Sequence, residues 1–137
     1  MAEEAGAKAL FEKFGTYVLP GRVDDPRRAI DEAQEAERIG LGAVWISERF
    51  ALKEPAVLAG AVSEATSKIR INGTFYSTMR HPIVTASIAN LMQAMSGERF
   101  GIMFARAVPA YMKMLGAPAI TMERLADCIS IMRSLWK

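Results

Sequence analysis

The sequence predicts an α/β fold in which short parallel strands alternate with helices. Apolar runs rich in strand-forming residues begin near Phe14, Gly42, Ile69 and Phe100, at spacings of 28, 27 and 31 residues, and a segment with helical periodicity follows each run. This spacing is typical of successive strand–helix units. In addition, 51% of the residues are hydrophobic, as expected for strands that are buried on both faces of a parallel sheet.

The first two units follow this pattern closely. The first strand is predicted at residues 14–19, and its helix has Asp24 or Asp25 as a cap, Pro26 at the first position and Gly40 at the end. The second strand is predicted at residues 43–46, and Pro55 opens the second helix. The inward faces of these two helices are predicted to comprise Ala29, Ile30, Ala33, Ala36 and Ile39, and then Leu58, Ala61, Val62 and Ala65.

The last two units continue the alternation. The third strand begins at residues 69–71, and the helix after Pro82 is predicted to bury Val84, Ile88, Leu91, Met92 and Met95. The fourth strand lies within residues 100–105, and the last helix begins after Thr121 as its N-cap and buries Leu125, Ile129, Met132 and Trp136. No hairpin signal interrupts the alternation, so a parallel sheet with right-handed crossovers is expected.

Two architectures are compatible with this alternation, a doubly wound sheet and part of a barrel. A doubly wound nucleotide-binding domain usually has a glycine-rich phosphate loop after its first strand. The loop at residues 19–23 contains one glycine, which weakens that interpretation without deciding between the two. Arg22 in this loop is a candidate for binding an anionic substrate.

Composition limits the possible functions. The net charge is +2 with acidic and basic residues interspersed, which argues against nucleic acid as a partner. The longest stretch without charged residues, 81–97, contains polar side chains and predicts a helix with a buried face, so no membrane association is expected. The N-terminal residues carry three acids and no apolar run, unlike a signal peptide.

The cysteine and histidine content argues against a metal site. Cys128 is the only cysteine and His81 the only histidine, so neither an intrachain disulfide nor a His/Cys metal site is expected. A single cysteine is typical of a reducing compartment, and a cytoplasmic location is expected. Cys128 falls in an amphipathic helical pattern, which favours an inert thiol.

Six segments in order resemble one protein family. They are Tyr-Val-Leu-Pro-Gly (17–21), Ala-Glu-Arg-Ile-Gly-Leu-Gly-Ala-Val-Trp-Ile-Ser-Glu-Arg-Phe (36–50), Lys-Glu-Pro-Ala-Val-Leu-Ala-Gly-Ala (53–61), Arg-His-Pro-Ile-Val-Thr-Ala (80–86), Ser-Gly-Glu-Arg-Phe (96–100) and Ile-Met-Arg-Ser-Leu-Trp (131–136). Their order and spacing resemble those of luciferase-like monooxygenases, and in particular the branch of oxidoreductases that use coenzyme F420.

The resemblance implies a specific architecture. The family fold is a (βα)8 TIM barrel, and this chain matches about the first four of its eight units, which makes it a half barrel. Residues 1–13 would be an N-terminal extension, and residues 14–137 the N-terminal half of the luciferase-like domain. The family's contacts to the coenzyme phosphate lie largely in the other half. The implied cofactor is F420, with FMN as the alternative, and the implied ligand is a small-molecule substrate.

The loop after the second strand carries two candidate catalytic residues. The resemblance places Glu48 and Arg49 near the cofactor ring or the substrate. Glu48 could accept a proton or hold Arg49 in place. Related enzymes often have histidine where Arg49 stands, and arginine cannot exchange protons near neutral pH. Arg49 would therefore favour an anionic ring electrostatically. The alternative is an ordinary surface ion pair.

The third loop carries the candidate cofactor-binding residues Gly73, Thr74 and Phe75. In the family a bulge here, often with a cis peptide bond that does not precede proline, supports the flavin ring. The alternative is that Phe75 and its neighbour Tyr76 belong to the core. His81 follows as a third candidate catalytic residue, although a lone histidine at a helix entrance more often caps the helix.

The fourth loop departs from the family. Relatives usually have Gly-x-Gly-Arg-Gly where this chain has residues 103–107. Arg106 is retained as a candidate cofactor-binding residue, but Met103, Ala105 and Ala107 replace the three glycines. Glycine permits close approach of the backbone to a ligand, so these replacements weaken the expectation of cofactor binding. Residues alternate along a strand, and the sequence leaves open whether Met103 and Ala105 point toward the ligand.

Three functions remain open. The first is an oxidoreductase that transfers hydride between F420 and a small organic substrate, and the second is an FMN-dependent monooxygenase. The third is a non-catalytic half barrel that self-associates or pairs with another chain, because half a barrel leaves two sheet edges and an apolar inner face uncovered. A homo-oligomer is therefore expected.

Overall fold

A computed structural model describes residues 10–21, 24–49, 52–76 and 79–136. Residues 1–9, which form most of the expected N-terminal extension, and Arg22 lie outside this part. The described residues contain four strands and five helices, in this order: β1 (Gly15–Tyr17), α1 (Arg28–Arg38), β2 (Ala43–Ser47), α2 (Pro55–Ala65), β3 (Arg70–Tyr76), α3 (Pro82–Ser96), β4 (Phe100–Ala105), α4 (Pro109–Met114) and α5 (Met122–Leu135).

The strands form one parallel sheet in the order β1-β2-β3-β4. Each strand pairs with the next one in sequence, which is the order of a barrel segment. In a doubly wound sheet the order of the strands would instead reverse at β1, so that β1 would lie in the middle of the sheet. The predicted parallel α/β half barrel is therefore confirmed, and the doubly wound alternative is wrong.

Local sequence signals account for most helix starts. α2 and α3 begin with Pro55 and Pro82, as predicted, and the side chain of Glu54 caps α2 by accepting from the Val57 amide at 2.8 Å. Thr121 caps α5, also as predicted, through the Arg124 amide at 3.2 Å.

The predicted start of α1 is wrong. Neither Asp24 nor Asp25 caps the helix, which begins at Arg28 after a turn over residues 25–28. The Asp25 carboxylate instead accepts from the amide and guanidinium of Arg27 at 3.0–3.1 Å. These local contacts occupy the carboxylate before the helix starts.

The core lies between the helices and one face of the sheet. Val44 and Ile46 of β2, Ile71 and Phe75 of β3 and Phe100 of β4 pack there, against small residues of α1, α2 and α3. In α1 the predicted Ala29, Ala33 and Ala36 are buried. Alanine on these faces brings the helix axes close to the sheet, so the bulky strand residues fill the core.

The predicted inward faces of α2 and α3 are partly wrong. Ala61 is exposed, whereas Ala59, Val62 and Ser63 are buried. In α3, Val84, Leu91 and Met95 remain 49%, 62% and 46% exposed. The side chains that face inward there are Thr85, Ala86, Ala89, Met92 and Ser96. Both helices are apolar around most of their circumference, so hydrophobic periodicity could not identify the face, and close packing selected the small residues.

The outer strands are less completely covered than the central ones. On the helix side of β4, Ile102 and Phe104 are half-buried, whereas Val44 and Ile46 of β2 are fully buried. None of the helices in the described part of the chain is long and apolar enough to cross a membrane. The same residues contain no group of three or more His, Cys, Asp or Glu side chains arranged to hold a metal ion.

Candidate functional site

The carboxyl ends of the four strands lie along one edge of the sheet, because all strands run in the same direction. Of the candidate residues, Glu48 and Arg106 directly follow β2 and β4 at this edge, and Thr74 lies near the end of β3, two residues before its last residue. In barrels this edge is where loops assemble a site. Its geometry depends on which side chains point to the face of the sheet opposite the helix-packed core, which we call the open face.

Strand register defines the open face. Paired residues of a parallel sheet point the same way, and Thr74 pairs with Ser47 on one side and Met103 on the other. The alternate residues Val44, Ile71 and Phe100 form the helix-covered core. The open face therefore carries Tyr17, Trp45, Ser47, Asn72, Thr74, Tyr76, Met103 and Ala105.

This register determines the direction that the sequence left open. Met103 and Ala105 point to the open face, where they replace glycines of the resembled family. Phe104 points to the helix side, where it packs against Ala86, Cys128 and Met132. The methionine side chain thus adds bulk to the face on which a ligand would lie.

Aromatic and amide side chains cover part of the open face. A β-carbon at Gly15 would lie 2.9 Å from the Trp45 indole nitrogen, so the indole lies over β1. The Tyr17 and Trp45 rings are 6.5 Å apart. The Asn72 amide similarly lies across Gly101, where a β-carbon would collide with its oxygen. Glycine on the outer strands thus makes room for polar and aromatic groups from the inner ones.

Thr74 contributes an unpaired hydroxyl to this face. The residue is 9% exposed, and its Oγ1 is covered but has no hydrogen-bond partner among the described residues. A buried hydroxyl without a partner is costly, typically about 1–3 kcal/mol. Such a group is a candidate for bonding to a bound ligand.

Glu48 is held by contacts within the protein. It is 3% exposed, its Oε2 accepts from the Tyr76 amide at 2.6 Å, and its Oε1 accepts from the Arg80 guanidinium. The other nitrogen of Arg80 donates to Glu54 at 2.5 Å. The expectation that Glu48 holds Arg49 is wrong, because Arg80 is its ion-pair partner. Both oxygens are occupied, which suits a positioning role better than proton transfer.

Arg80 connects the ends of two strands and the start of α2. Besides contacting Glu48 after β2 and Glu54 before α2, its guanidinium lies 5.1 Å from the centre of the Phe75 ring in β3. Its side chain is 19% exposed. A planar cation with several donors suits this combination of two carboxylates and a ring face.

Lys53 is a second buried cation at the same edge. Its ammonium donates to the Leu19 and Val18 carbonyls at 2.8 and 3.5 Å, beyond the end of β1. Leu19 has a left-handed φ of 50°, and its amide donates to Glu32 at 2.7 Å. Burial lowers the pKa of Lys53, and the nearby charge of Arg49 lowers it further. Lys53 and Glu32 together fix the turn after β1.

The structure separates the three expected cofactor-binding residues of β3. Thr74 points to the open face, whereas Phe75 is fully buried on the helix side. A β-carbon at Gly73 would meet the Phe75 and Phe100 rings, so this glycine permits close core packing. The described residues contain no cis peptide bond, unlike the expectation from the family. Of the three residues, only Thr74 directs a side chain to the open face.

His81 caps a helix, as the alternative interpretation of the sequence held. Its Nδ1 accepts from the Ile83 amide at 3.3 Å. The residue lines a groove of about 460 Å³ between the beginnings of α3 and α5, together with Arg124, Asp127 and Cys128. Burial raises the pKa of the Cys128 thiol, which favours the unreactive protonated form.

Arg49 and Arg106 are both exposed at the carboxyl edge. In the described part of the chain neither side chain forms an ion pair or hydrogen bond. Two unpaired cations at this edge suit an anionic ligand group.

Sequence reasoning did not assign roles to Arg80 and Lys53. Both lie in segments that carry the family resemblance, 80–86 and 53–61. A basic residue two positions before a helix-opening proline was the available signal, because Lys53-Glu54 precedes Pro55 and Arg80-His81 precedes Pro82. Their partners could not be inferred, since Arg80 and Glu48 are 32 residues apart.

The chain is similar to known proteins over most of its length. A family model described as luciferase-like monooxygenase matches residues 4–137. No curated protein matches the chain. Among solved structures, the oxygenating constituent of 3,6-diketocamphane monooxygenase from Pseudomonas putida, in complex with FMN, has a TM-score of 0.75 and 19% identity. That alignment covers 89% of this chain and 38% of that one.

Two further structures have related folds. The coenzyme F420-dependent tetrahydromethanopterin reductase from Methanopyrus kandleri has a TM-score of 0.70 and 26% identity, over 77% of this chain and 30% of that one. EDTA monooxygenase from Chelativorans sp. BNC1 has a TM-score of 0.70 and 21% identity, over 90% and 36%. The chain therefore spans about a third of the length of the structures it resembles.

Proposed function

The chain belongs to the luciferase-like monooxygenase family, and on that premise we propose that it provides one half of an oxidoreductase site. The site holds coenzyme F420 and supports hydride transfer between it and a small organic substrate. The observation that carries this proposal is the unpaired Thr74 hydroxyl on the open face of the sheet.

The residues of the open face fit a flat heteroaromatic ring. Trp45 and Tyr17 offer apolar ring surfaces. Ser47, Asn72 and Thr74 offer hydroxyl and amide groups on neighbouring strands. A deazaflavin ring has the same mixture of an apolar body and a polar edge. These side chains would hold the ring, and the bound coenzyme would supply a carbon that accepts or gives hydride.

Residues at the carboxyl edge would orient this site. Glu48 and Arg80 hold the ends of β2 and β3 in place, so we assign Glu48 a positioning role. Arg49 and Arg106 supply positive charge that favours an anionic ring or substrate. His81 holds the start of α3 through its cap, and its catalytic role is the least supported of the three expected from the sequence.

F420 is preferred to FMN on two grounds. The six sequence segments resemble the F420-dependent branch most closely, and the solved F420-dependent reductase has 26% identity, compared with 19% for the FMN-containing monooxygenase. FMN-dependent monooxygenation is the second candidate. We propose a cytoplasmic location because a single buried thiol suits a reducing compartment.

A third candidate is a half barrel without catalytic activity. Ala105 favours it, because it replaces a glycine of the resembled family on the open face. Met103 favours it as well, because its side chain lies on the face where a ring would lie.

Cofactor titration distinguishes these functions. The purified chain is titrated with F420 and, separately, with FMN, and binding is followed by the fluorescence of each compound. Binding of F420 at least tenfold tighter than that of FMN supports the proposal. Tighter binding of FMN supports the monooxygenase. If neither compound binds at high micromolar concentrations, the isolated chain is the non-catalytic half barrel.

A further inference from the structure

A closed turn connects β2 to α2 at the carboxyl edge. The Arg49 amide donates to the Lys53 carbonyl at 3.0 Å, and the Lys53 amide donates to the Arg49 carbonyl at 2.7 Å. The two residues thus form an antiparallel bridge, and the Leu52 amide adds a further bond to the Arg49 carbonyl at 3.0 Å. Because the main chain of Arg49 is bonded to that of Lys53, a contact that holds Lys53 in place also holds Arg49.

The side chain of Lys53 anchors this turn to the chain just beyond β1. The residue is 5% exposed, and its ammonium donates to the Leu19 and Val18 carbonyls. The left-handed φ of Leu19 is uncommon for a residue other than glycine, and the surrounding contacts must hold such a conformation in place. Lys53 therefore joins the loops that follow the first two strands, at the edge where the site is proposed.

The positive charge of Lys53 lacks a counter-ion in the described part of the chain, where no carboxylate forms an ion pair with its ammonium. Burial lowers the pKa of Lys53 most, the charge of Arg49 lowers it further, and Glu32 opposes them. The Glu32 carboxylate itself contacts the Leu19 amide at 2.7 Å and the Arg28 guanidinium at 3.5 Å. Buried charges are normally paired, so an anionic ligand is the partner that Lys53 and Arg49 lack.

We propose that Lys53 is a positioning residue that holds Arg49 at the carboxyl edge, where Arg49 selects a small organic substrate with an oxyanion group, a carboxylate or a phosphate. The exposed Arg49 guanidinium contacts the oxyanion, because its planar fork of donors matches both groups. Lys53 is buried and acts through Arg49, by fixing its main chain. This inference rests on the proposed function and deepens it by naming the class of substrate.

An NMR titration with inorganic phosphate, at constant ionic strength and without F420, tests the oxyanion site. We expect the largest shifts at the amides of Leu19, Arg49 and Lys53. Arg49→Gln should weaken phosphate binding about tenfold and Lys53→Met about fivefold, whereas Lys53→Arg, which keeps the charge and the donors, should retain most of the affinity. Lys68→Met is the matched control, because Lys68 is an exposed lysine at the opposite edge, before β3, and we expect it to bind phosphate like the wild type.

The double variant Arg49→Gln/Lys53→Met separates positioning from a contribution to the fold alone. If Lys53 acts through Arg49, the double variant binds phosphate about as weakly as Arg49→Gln, because the second change has little left to remove. Losses that multiply, or a Lys53→Met variant that is less stable but binds phosphate like the wild type, would overturn the positioning role.

Two further outcomes concern the ligand. Absence of phosphate binding, or binding that Arg49→Gln leaves unchanged, would overturn the oxyanion site, and the exposed position of Arg49 makes this variant safe for folding. The titration is then repeated with F420 present. We expect unchanged phosphate affinity, whereas competition would assign the oxyanion to the coenzyme and overturn the assignment to the substrate. The first titration contains no F420, so failure of cofactor binding leaves the test of Lys53 and Arg49 intact.

Discussion

The Arg80 guanidinium donates to the Glu48 carboxylate across 32 residues of sequence, and this ion pair is largely buried. It ties the end of β2 to the entrance of α3. Glu54, which caps α2, accepts from the same guanidinium. One arginine thus connects two successive strand–helix units, β2–α2 and β3–α3, at the edge where the site is proposed.

Arg80→Met should destabilise the chain strongly. Removal of one partner of a buried pair leaves the other charge uncompensated, at a typical cost of about 3–5 kcal/mol. Urea denaturation followed by circular dichroism measures this cost. Arg80→Lys should fall between the wild type and Arg80→Met, because lysine keeps the charge but cannot contact two carboxylates through a planar fork.

Arg38→Met is the matched control for the Arg80 variants. Arg38 pairs with Glu35 at 2.6 Å on the exposed side of α1, and exposed pairs contribute little to stability. We expect little change in the denaturation midpoint for this variant. Equal midpoints for Arg80→Met and Arg38→Met would show that the Glu48 contact does not stabilise the fold.

The fold could be predicted from the sequence because its signals are local. Periodicity and helix-opening prolines located the strands and most helix starts within a few residues, and the regular spacing predicted the sequential parallel sheet. The inward face of α3 was mispredicted at Val84 and Leu91, because nearly every side of that helix is apolar. Close packing of Ala86 and Ala89 decided the face, and no single-helix pattern reveals that.

The candidate site was less predictable because its contacts join distant segments. Glu48 and Thr74 were identified, but the partner of Glu48 depends on the path of the loop before Arg80. The Ser-Gly-Glu-Arg-Phe segment illustrates the same difficulty. Its Arg99 donates to acceptors in Ser63, Thr66, Ile69 and Ser96. A sequence segment typical of the family can therefore serve to stabilise the fold.

Glu37→Gln should remove a pH-dependent contribution to stability. Burial, the largest influence, raises the pKa of Glu37, but bonds from the Ile69, Lys68 and Ser67 amides and the charge of Arg99 outweigh it and lower the pKa below the ordinary 4.5. A carboxyl whose pKa is lower in the folded state stabilises the fold above its unfolded pKa. That stabilisation is lost as pH falls through the folded value.

The difference in unfolding free energy between wild type and Glu37→Gln is therefore the quantity to measure. We expect it to be about 1 kcal/mol near neutral pH and to shrink as the pH falls below 4.5. Urea denaturation at a series of pH values from neutral to acidic provides the measurement. A difference that stays constant across that range would contradict the contribution assigned to the ionised carboxylate.

Thr74→Val should weaken F420 binding without destabilising the chain. The Thr74 hydroxyl has no hydrogen-bond partner among the described residues. Its removal therefore breaks no hydrogen bond within the chain and can raise the free energy of unfolding. A ligand bond to this hydroxyl would contribute about 1 kcal/mol, which corresponds to roughly a fivefold loss of affinity. Fluorescence titration and thermal denaturation are measured on the same samples.

Ser63→Ala provides the control for Thr74→Val. The Ser63 hydroxyl is also buried without a partner in the described residues, but it lies in α2 on the helix side of the sheet. We expect unchanged or higher stability and unchanged F420 affinity. If both variants bind F420 like the wild type, Thr74 does not contact the ring.

Met103→Gly should strengthen F420 binding. Met103 points to the open face beside Thr74, where the resembled family has glycine. Extra bulk in a packed site costs about 1–3 kcal/mol, because the surroundings relax only partly. Removal of the side chain should therefore raise affinity by roughly 5- to 150-fold. Addition of Ala105→Gly, on the same face, should increase the gain.

Phe104→Ala separates this steric effect from general loosening of β4. Phe104 is the next residue but points to the helix side, where it packs against Met132 and Cys128. Its truncation should cost stability, by up to about 3–5 kcal/mol for a core phenylalanine, and leave F420 affinity no higher than in the wild type. Because the two side chains leave the same strand in opposite directions, only an obstruction on the open face predicts tighter binding for Met103→Gly alone. Equal affinities for Met103→Gly and the wild type would show that the methionine does not obstruct the ring.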